Sequence, residues 1–393
     1  MGATDPIALF LPQGCSRTMT SRDLVLQTLN QSPVPRVPRD IWYSPDAQEQ
    51  RADEVRELSL RFPSDIVWVQ AKPAGGRRSG SRAGTDSVPD AWGCVWGPGP
   101  RGSFVEPSPP PLADAKKAAE FRPPRDLLDE KRFDHLPALI ERETCFVLAQ
   151  SEVRPFERLR ALRGSKSVLG GMAKEKRSST SLLRNLLTMI HEAACREIEL
   201  WSCLPVDGVV FCDVWGGSER LLVEPQVWRE LFKPLYEEYC RILHANDKFA
   251  FFLTGGNVYD IVNDLVKIGV DAVNAEWGCS SFPRLVKRFA GQITFWGGLD
   301  RPEILQTGSP AEVRQAVRRL LHPYDDPRHA PSFRDTGEAH PNKPAARTAI
   351  EDVRPFSIIA QCCFDAATPT ASLVAFCEQW HSPLPPPLPP SRS

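Results

Sequence analysis

Four short runs between residues 208 and 298 are almost wholly apolar: GVVFCDV (208–214), FAFFL (249–253), DAVNAEW (271–277) and ITFWGG (293–298). Helix-patterned stretches separate them. Strands apolar on both faces must be buried on both faces, as in a parallel sheet covered by helices. The last three runs begin at residues 249, 271 and 293, a spacing of about 22 residues that fits repeated strand–helix units. SDIVWVQ (64–70), CFVLAQ (145–150) and FSIIAQC (356–362) are of the same kind. Seven such strands, with an eighth hidden in the irregular first third of the chain, close a single (β/α)8 TIM-type barrel. An open doubly wound sheet is the competing architecture, but no GxGxxG follows any strand to support a dinucleotide site.

The intervening helices carry their own punctuation. In SPAEVRQAVRRLL (309–321), Ser309 stands at the N-cap, Pro310 at the first helical position and Glu312 three residues after the cap, which spells a capping box. NVYDIVNDLVKIG ends on Gly269, where a left-handed C-terminal residue is expected. WRELFKPLYEEYCRILHAN (228–246) places Leu231, Leu235, Tyr239 and Ile242 on one face, with a bend expected at Pro234.

Residues 1–18 read as a dispensable leader, because TSRDLVLQTLN after Met19 is a capped helix opening. Residues 72–90 read as a surface loop, 322–355 as a polar insertion or lid, and 382–393 as a polyproline tail. The barrel proper is expected over 19–381. A net charge of −1 offers no field to recruit nucleic acid or an anionic membrane, and no apolar stretch is long enough for a membrane span. The eleven cysteines are scattered without a CxxC pair and, with no export signal, read as reduced thiols of a cytoplasmic protein.

Barrel chemistry sits where strands end and βα loops begin. Here Asp213 closes GVVFCD, Thr254 closes FAFFL, Asn274 and Glu276 close DAVNAE, Asp300 follows WGGL, and Gln361 and Cys362 close SIIAQC. Asp65 lies early in SDIVWVQ. One acid at a strand end is commonly the N-cap of the next helix. Four acids near one rim suit a cation, a cluster of N–H donors or proton transfer. The Thr254–Gly255–Gly256–Asn257 turn is expected to face backbone N–H groups and Thr254 toward the mouth, where a substrate carboxylate fits.

Several of these stretches resemble the uroporphyrinogen decarboxylase family, a barrel superfamily that also holds corrinoid-linked and thiol methyltransferases. MTSRDLVLQTLNQSPVPRVPRDIW is similar to the family's opening helix and Arg-Val-Pro turn, and FPSDIV (62–67) resembles its F-S-D-I-L segment. CDVWGG (212–217) is similar to D-S-W-A-G, ITFWGGLD (293–300) to V-x-L-Q-G-N-L-D, and SIIAQCCFDAATPTASLVAFCEQW (357–380) to the closing strand and helix. The resemblance spans roughly residues 19–380. It implies cofactor-free decarboxylation of acetate side chains on a tetrapyrrole or similar polycarboxylate, with Asp65 as the catalytic carboxylate that stabilises the protonated pyrrole. Arg36, Arg39, Asp213, Thr254, Glu276 and Asp300 are implied substrate-binding groups. A homodimer is left open.

The chain also departs from the family. RDIWYSP replaces the M-R-Q-A-G-R-Y stretch with its two arginines, Val214 replaces a serine, and Phe364 stands where the closing strand has histidine. In the methyltransferase branch a His-x-Cys pair and a distant cysteine bind zinc. The corresponding positions here read Leu253 and Gly255, leaving Cys362 as the one candidate ligand. Zinc or a corrinoid partner therefore belongs to the alternative reading, methyl transfer. A barrel that keeps its fold without catalysis is the third.

Overall fold

The computed structural model describes residues 19–74, 89–98, 104–105, 107, 109–173, 177–275, 277, 282–297, 299, 303–321 and 357–381. The leader, the 322–355 segment, the proline tail and most of the 72–90 loop lie outside the described residues. The barrel strands are β1 (Arg39–Tyr43), β2 (Ile66–Gln70), β3 (Phe146–Gln150), β4 (Gly208–Cys212), β5 (Phe249–Leu253), β6 (Ala272–Asn274), β7 (Thr294–Gly297) and β8 (Ile358–Phe364). They form one parallel sheet in the order β1-β8-β7-β6-β5-β4-β3-β2, a nearly closed (β/α)8 barrel. The seven strands expected from the sequence are all present, and the hidden eighth is β1, Arg-Asp-Ile-Trp-Tyr.

Alternation sorts each strand into two faces. Inward residues such as Ile66, Phe146, Leu148, Val210, Phe251, Trp296 and Ile359 form one buried cluster. The opposite faces, including Val69, Val147, Val209, Phe252, Val273 and Ala360, join the layer between barrel and helices. The N-terminal end of the barrel is plugged by the helix Ser21–Leu29, whose Val25 and Leu29 enter the inward cluster. That helix opens on a capping box in which Thr20 accepts from Asp23 N–H and Asp23 accepts from Thr20 N–H.

Local signals explain the other helices. The Ser309–Glu312 box precedes Pro310–Leu321, with the serine N–H 2.8 Å from the glutamate carboxylate. Gly269 ends Tyr259–Ile268 at φ +95°, where an added Cβ would meet the His244 ring at 2.9 Å. The 228–246 stretch is broken rather than bent: Pro225–Leu231 and Lys233–His244 are separate helices either side of Phe232, with Pro234 in the first turn of the second.

The ring closes between β1 and β2, the two ends of the ladder order. Here the Asp65 N–H donates to Arg39 O at 2.8 Å and Ile41 N–H donates to Ser64 Oγ at 3.4 Å. The Asp65 carboxylate, 1% exposed, clamps this seam. It accepts both Arg36 guanidinium nitrogens at 2.7 and 2.6 Å, Ser21 Oγ at 2.6 Å and Arg39 N–H at 2.8 Å. One side chain thus joins the plug helix, the Arg-Val-Pro turn and both seam strands. Breaking a buried pair leaves the remaining charge uncompensated, at a cost of about 3 kcal/mol. Asp65→Ala should therefore lower the urea-unfolding free energy by about that amount; an unchanged midpoint would refute the clamp.

Candidate active site at the C-terminal mouth

The expected site residues fall at two ends of the barrel. Asp65 precedes β2, and Arg36 and Arg39 precede or open β1, so all three belong to the N-terminal end. This differs from the expected catalytic and substrate-binding roles for a physical reason. The oxygens of Asp65 are occupied by the seam, Arg36 is spent on Asp65, and Arg39 is buried with its side chain beside Cys377 on the outer face. Asp213 and Thr254 do lie at the C-terminal mouth, just after β4 and β5. Glu276 and Asp300 lie outside the described residues.

Asp213 works there as a latch. Its carboxylate accepts Phe156 N–H at 2.8 Å and Glu157 N–H at 2.7 Å, first-turn donors of the helix Pro155–Arg163, and the Tyr236 hydroxyl at 2.6 Å. Thr254 Oγ1 accepts Trp215 N–H at 3.2 Å. The glycine turn expected to cradle a ligand instead packs backbone to backbone on the loop after β4. Gly216 N–H donates to Gly255 O at 2.9 Å, Asn257 N–H donates to Gly217 O at 2.7 Å, and a Cβ on Gly216 would lie 2.4 Å from Asn257 N.

Three features missed in the sequence meet at this mouth. The first is Arg154, in the β3 loop. Among the described residues its side chain makes no hydrogen bond or ion pair, and its buried Nε has no acceptor. Burial acts to lower its pKa, but Cys212, Glu157, Asp213 and Glu152 around it leave it raised, so the guanidinium stays charged. The second is the carboxyl pair Glu157–Asp213. Burial, then the neighbouring Glu157 charge, raises Asp213 to about 7, and burial raises Glu157 as well, although Arg154 opposes it. Two carboxyls with raised affinity for protons, beside one cation that is hydrogen-bonded to neither, can hold and deliver a proton near neutrality.

The third lies deeper. Asp40 points into the barrel and accepts three indole N–H groups: Trp42 at 2.9 Å, Trp68 at 3.0 Å and Trp296 at 2.9 Å. Burial raises its pKa to about 6 against the pull of those donors. Trp42 and Trp68 meet edge to face, with centroids 5.4 Å apart and planes at 87°, and solvent reaches part of both. Toward the mouth the inward strand positions carry Gln70, Gln150, Cys212, Leu253, Asn274, Gln361 and Cys363. Burial pushes the Cys212 thiol up to about 12 and the Cys363 thiol up to about 11, so both are neutral.

A signal for these residues does exist in the sequence: Ile66-x-Trp68-x-Gln70 and Phe146-x-Leu148-x-Gln150 put a glutamine at the mouth end of an inward face. A surface hollow of about 580 Å³ lies at the opposite end, lined by Arg241, His244, Lys248 and Asp271 among others. Arg241 is paired with Glu238 and His244 with Asp271, and the strand C-terminal ends do not reach it.

The described residues of this mouth do not make a zinc site. Leu253 and Gly255 offer no donor atom, and Cys362 belongs to the outward cluster of β8 while Gln361 and Cys363 face inward. Among the described residues no three His, Cys, Asp or Glu side chains form a metal-binding group. Nor, among them, is any helix long and apolar enough to cross a membrane.

Comparison with known proteins agrees with this barrel. Residues 155–332 match the family model of uroporphyrinogen decarboxylase (URO-D), a shorter span than the motif resemblance covers. No curated protein matches the chain. Among solved structures, a methyltransferase from Methanosarcina mazei is similar with a TM-score of 0.58 at 16% identity, over 92% of this chain and 98% of that one. At that identity the likeness is one of fold.

The Asp213 carboxyl has a pH signature. Its folded pKa, about 7, lies above the unfolded value of 3.8, so between those values the folded chain holds a proton that the unfolded chain releases. Its contribution to stability is therefore present at low pH and lost as pH rises through about 7. Asp213→Asn should gain stability relative to wild type on going from pH 5 to pH 8 in urea titrations; a pH-independent difference would contradict the raised pKa.

Proposed function

We propose that this chain, a divergent member of the uroporphyrinogen decarboxylase family, is an enzyme that removes a carboxyl group, without a bound cofactor, from a small carboxylate-bearing molecule at its C-terminal mouth. The observation that carries this reading is Arg154: a charged, half-buried guanidinium that makes no hydrogen bond among the described residues, beside two carboxyls that bind protons more tightly than usual. Its buried Nε has no acceptor among the described residues, and a carboxylate matches the guanidinium fork.

The roles divide by energetics. A cation gripping the departing carboxylate would stabilise the ground state more than the transition state. Arg154 therefore suits a carboxylate that stays on the molecule. The departing carboxylate lies toward Glu157 and Asp213, whose burial raises the affinity of both for a proton. That proton converts the substrate into an electron sink. The carbon–carbon bond then breaks, CO2 leaves and the electron pair moves into that sink; protonation of the carbon that lost CO2 and return of the first proton leave a new carbon–hydrogen bond, with one proton taken up per CO2 released. Tyr236, which donates to Asp213 at 2.6 Å, holds the acid in place.

This reading replaces Asp65 with the mouth cluster as the seat of chemistry. A tetrapyrrole acetate is the substrate class that the family suggests, and methyl transfer with a corrinoid partner is the alternative, to which the name of the Methanosarcina mazei neighbour also belongs.

Anaerobic incubation with uroporphyrinogen and with single-ring pyrrole acetates, followed by CO2 detection, tests the reading. Turnover should fall as pH rises above about 7, when the Asp213–Glu157 pair loses its proton. Arg154→Ala should lower kcat/KM about 100-fold, the loss expected for a charged hydrogen-bonded contact of about 3 kcal/mol. Methyl transfer to free cobalamin with no CO2 from any of these acids would overturn it in favour of the alternative.

A further inference from the structure

Four acidic groups surround the Arg154 guanidinium: Cys212, Glu157, Asp213 and Glu152. Three of them are occupied or biased toward neutrality. Burial pushes the Cys212 thiol up to about 12, so it carries no charge. The Asp213 carboxylate already accepts two backbone N–H groups and the Tyr236 hydroxyl. Burial raises the Glu157 carboxyl, which favours its neutral form. Glu152 is the fourth. It stands two residues before Arg154 in the β3 loop, with a side chain 31% exposed.

Glu152 is bonded to Arg132 instead. Arg132 Nη2 lies 3.0 Å from Glu152 Oε1, and the Arg132 side chain is 5% exposed. Two backbone carbonyls fix the rest of that guanidinium: Nε donates to Lys72 O and Nη1 to Leu127 O. Lys72 N–H donates back to Arg132 O at 3.0 Å. A guanidinium held on two carbonyls presents its remaining nitrogen in one direction.

The loop that carries Glu152 and Arg154 is pinned at successive residues. Ser151 Oγ donates to Val210 O at 2.6 Å, and Glu152 N–H donates to Glu197 Oε1 at 2.8 Å. Cys212 N–H donates to Val153 O at 3.1 Å. The Glu197 oxygen also accepts the Trp201 indole N–H at 3.2 Å. With the backbone fixed, rotation of the Glu152 side chain is the motion left to bring it onto Arg154.

We propose that Arg132 is a positioning residue for Arg154: by holding Glu152, it keeps the Arg154 guanidinium open to an incoming carboxylate. Without Arg132, Glu152 turns to Arg154, and any carboxylate from solution competes with one tethered in the same loop. The inference rests on the reading above, since it explains how Arg154 stays open. It is measured on the guanidinium itself, without turnover.

Phenylglyoxal modifies accessible guanidinium groups and is slowed at those paired with a carboxylate. Its reaction with the full chain, followed at Arg154 by peptide mass spectrometry, reads the competition. Arg132→Met should slow modification of Arg154 about fivefold, the factor that corresponds to a partly exposed ion pair. Adding Glu152→Gln to Arg132→Met should restore the wild-type rate, which a merely structural loss at Arg132 would not allow. Glu152→Gln alone should leave the rate unchanged, because Glu152 is already held by Arg132. Arg132→Gln keeps a donor for the Lys72 and Leu127 carbonyls; it replaces the methionine variant if that fails to fold, and should show the same slowing. An unchanged rate in the Arg132 variants, no rescue by Glu152→Gln, or faster modification in Glu152→Gln alone overturns the proposal. The predicted order of rates without CO2 release from any of the acids above would sink the decarboxylation reading and leave the Arg132–Glu152 assignment standing.

Discussion

The barrel depends on how one gap is closed. Seven neighbouring strand pairs are zipped by parallel ladders, whereas β1 and β2 are joined by isolated bonds and two aspartates. At the N-terminal end Asp65 ties Arg36, Ser21 and the Arg39 N–H together. One layer further in, Asp40 of β1 binds indoles from β1, β2 and β7. Both carboxylates lie almost wholly out of water, where an ion survives only if its lone pairs are filled. Filling them with donors from both sides of the gap converts a desolvation cost into a reason for the strands to stay in register. Side-chain chemistry does at this seam what backbone pairing does elsewhere.

The same principle run in reverse marks the mouth. Arg154 is surrounded by groups of opposite sign yet bonded to none of them, and Glu157 and Asp213 are pressed together. The seam spends its charges on structure; at the mouth Asp213 is also bonded, but Arg154 makes no hydrogen bond among the described residues. This contrast between a saturated aspartate and an unsaturated arginine separates a clamp from a site more sharply than strand-end position alone.

The sequence made the repeated strands legible because their runs are apolar on both faces, and parallel burial leaves no other reading. It concealed β1, where Arg39 points out, Asp40 points in and an apolar run never forms. For Asp65 the sequence leaves the strand end open for a related reason. An aspartate abutting an apolar run looks the same at either end of a strand, and a motif match on F-P-S-D-I-V carries no register; β2 begins after the aspartate, not before it. Arg154, followed by Pro155, reads as a surface charge at a helix start. Nothing local says that the nearby Asp213 is engaged by two backbone N–H groups and a tyrosine. Pairing and burial are long-range facts, and those are what define the candidate site.

The glycine contact between the loops after β4 and β5 has a mechanical meaning. With Gly216 lodged against the Gly255–Gly256 backbone, and Thr254 holding Trp215 N–H, neither loop can shift without dragging the other. The Asp213 latch adds the first turn of Pro155–Arg163 to the same block. Three consecutive rim segments, after β3, β4 and β5, therefore behave as one stiff jaw. Any adjustment of the opening to the size of what enters falls to the other side of the rim.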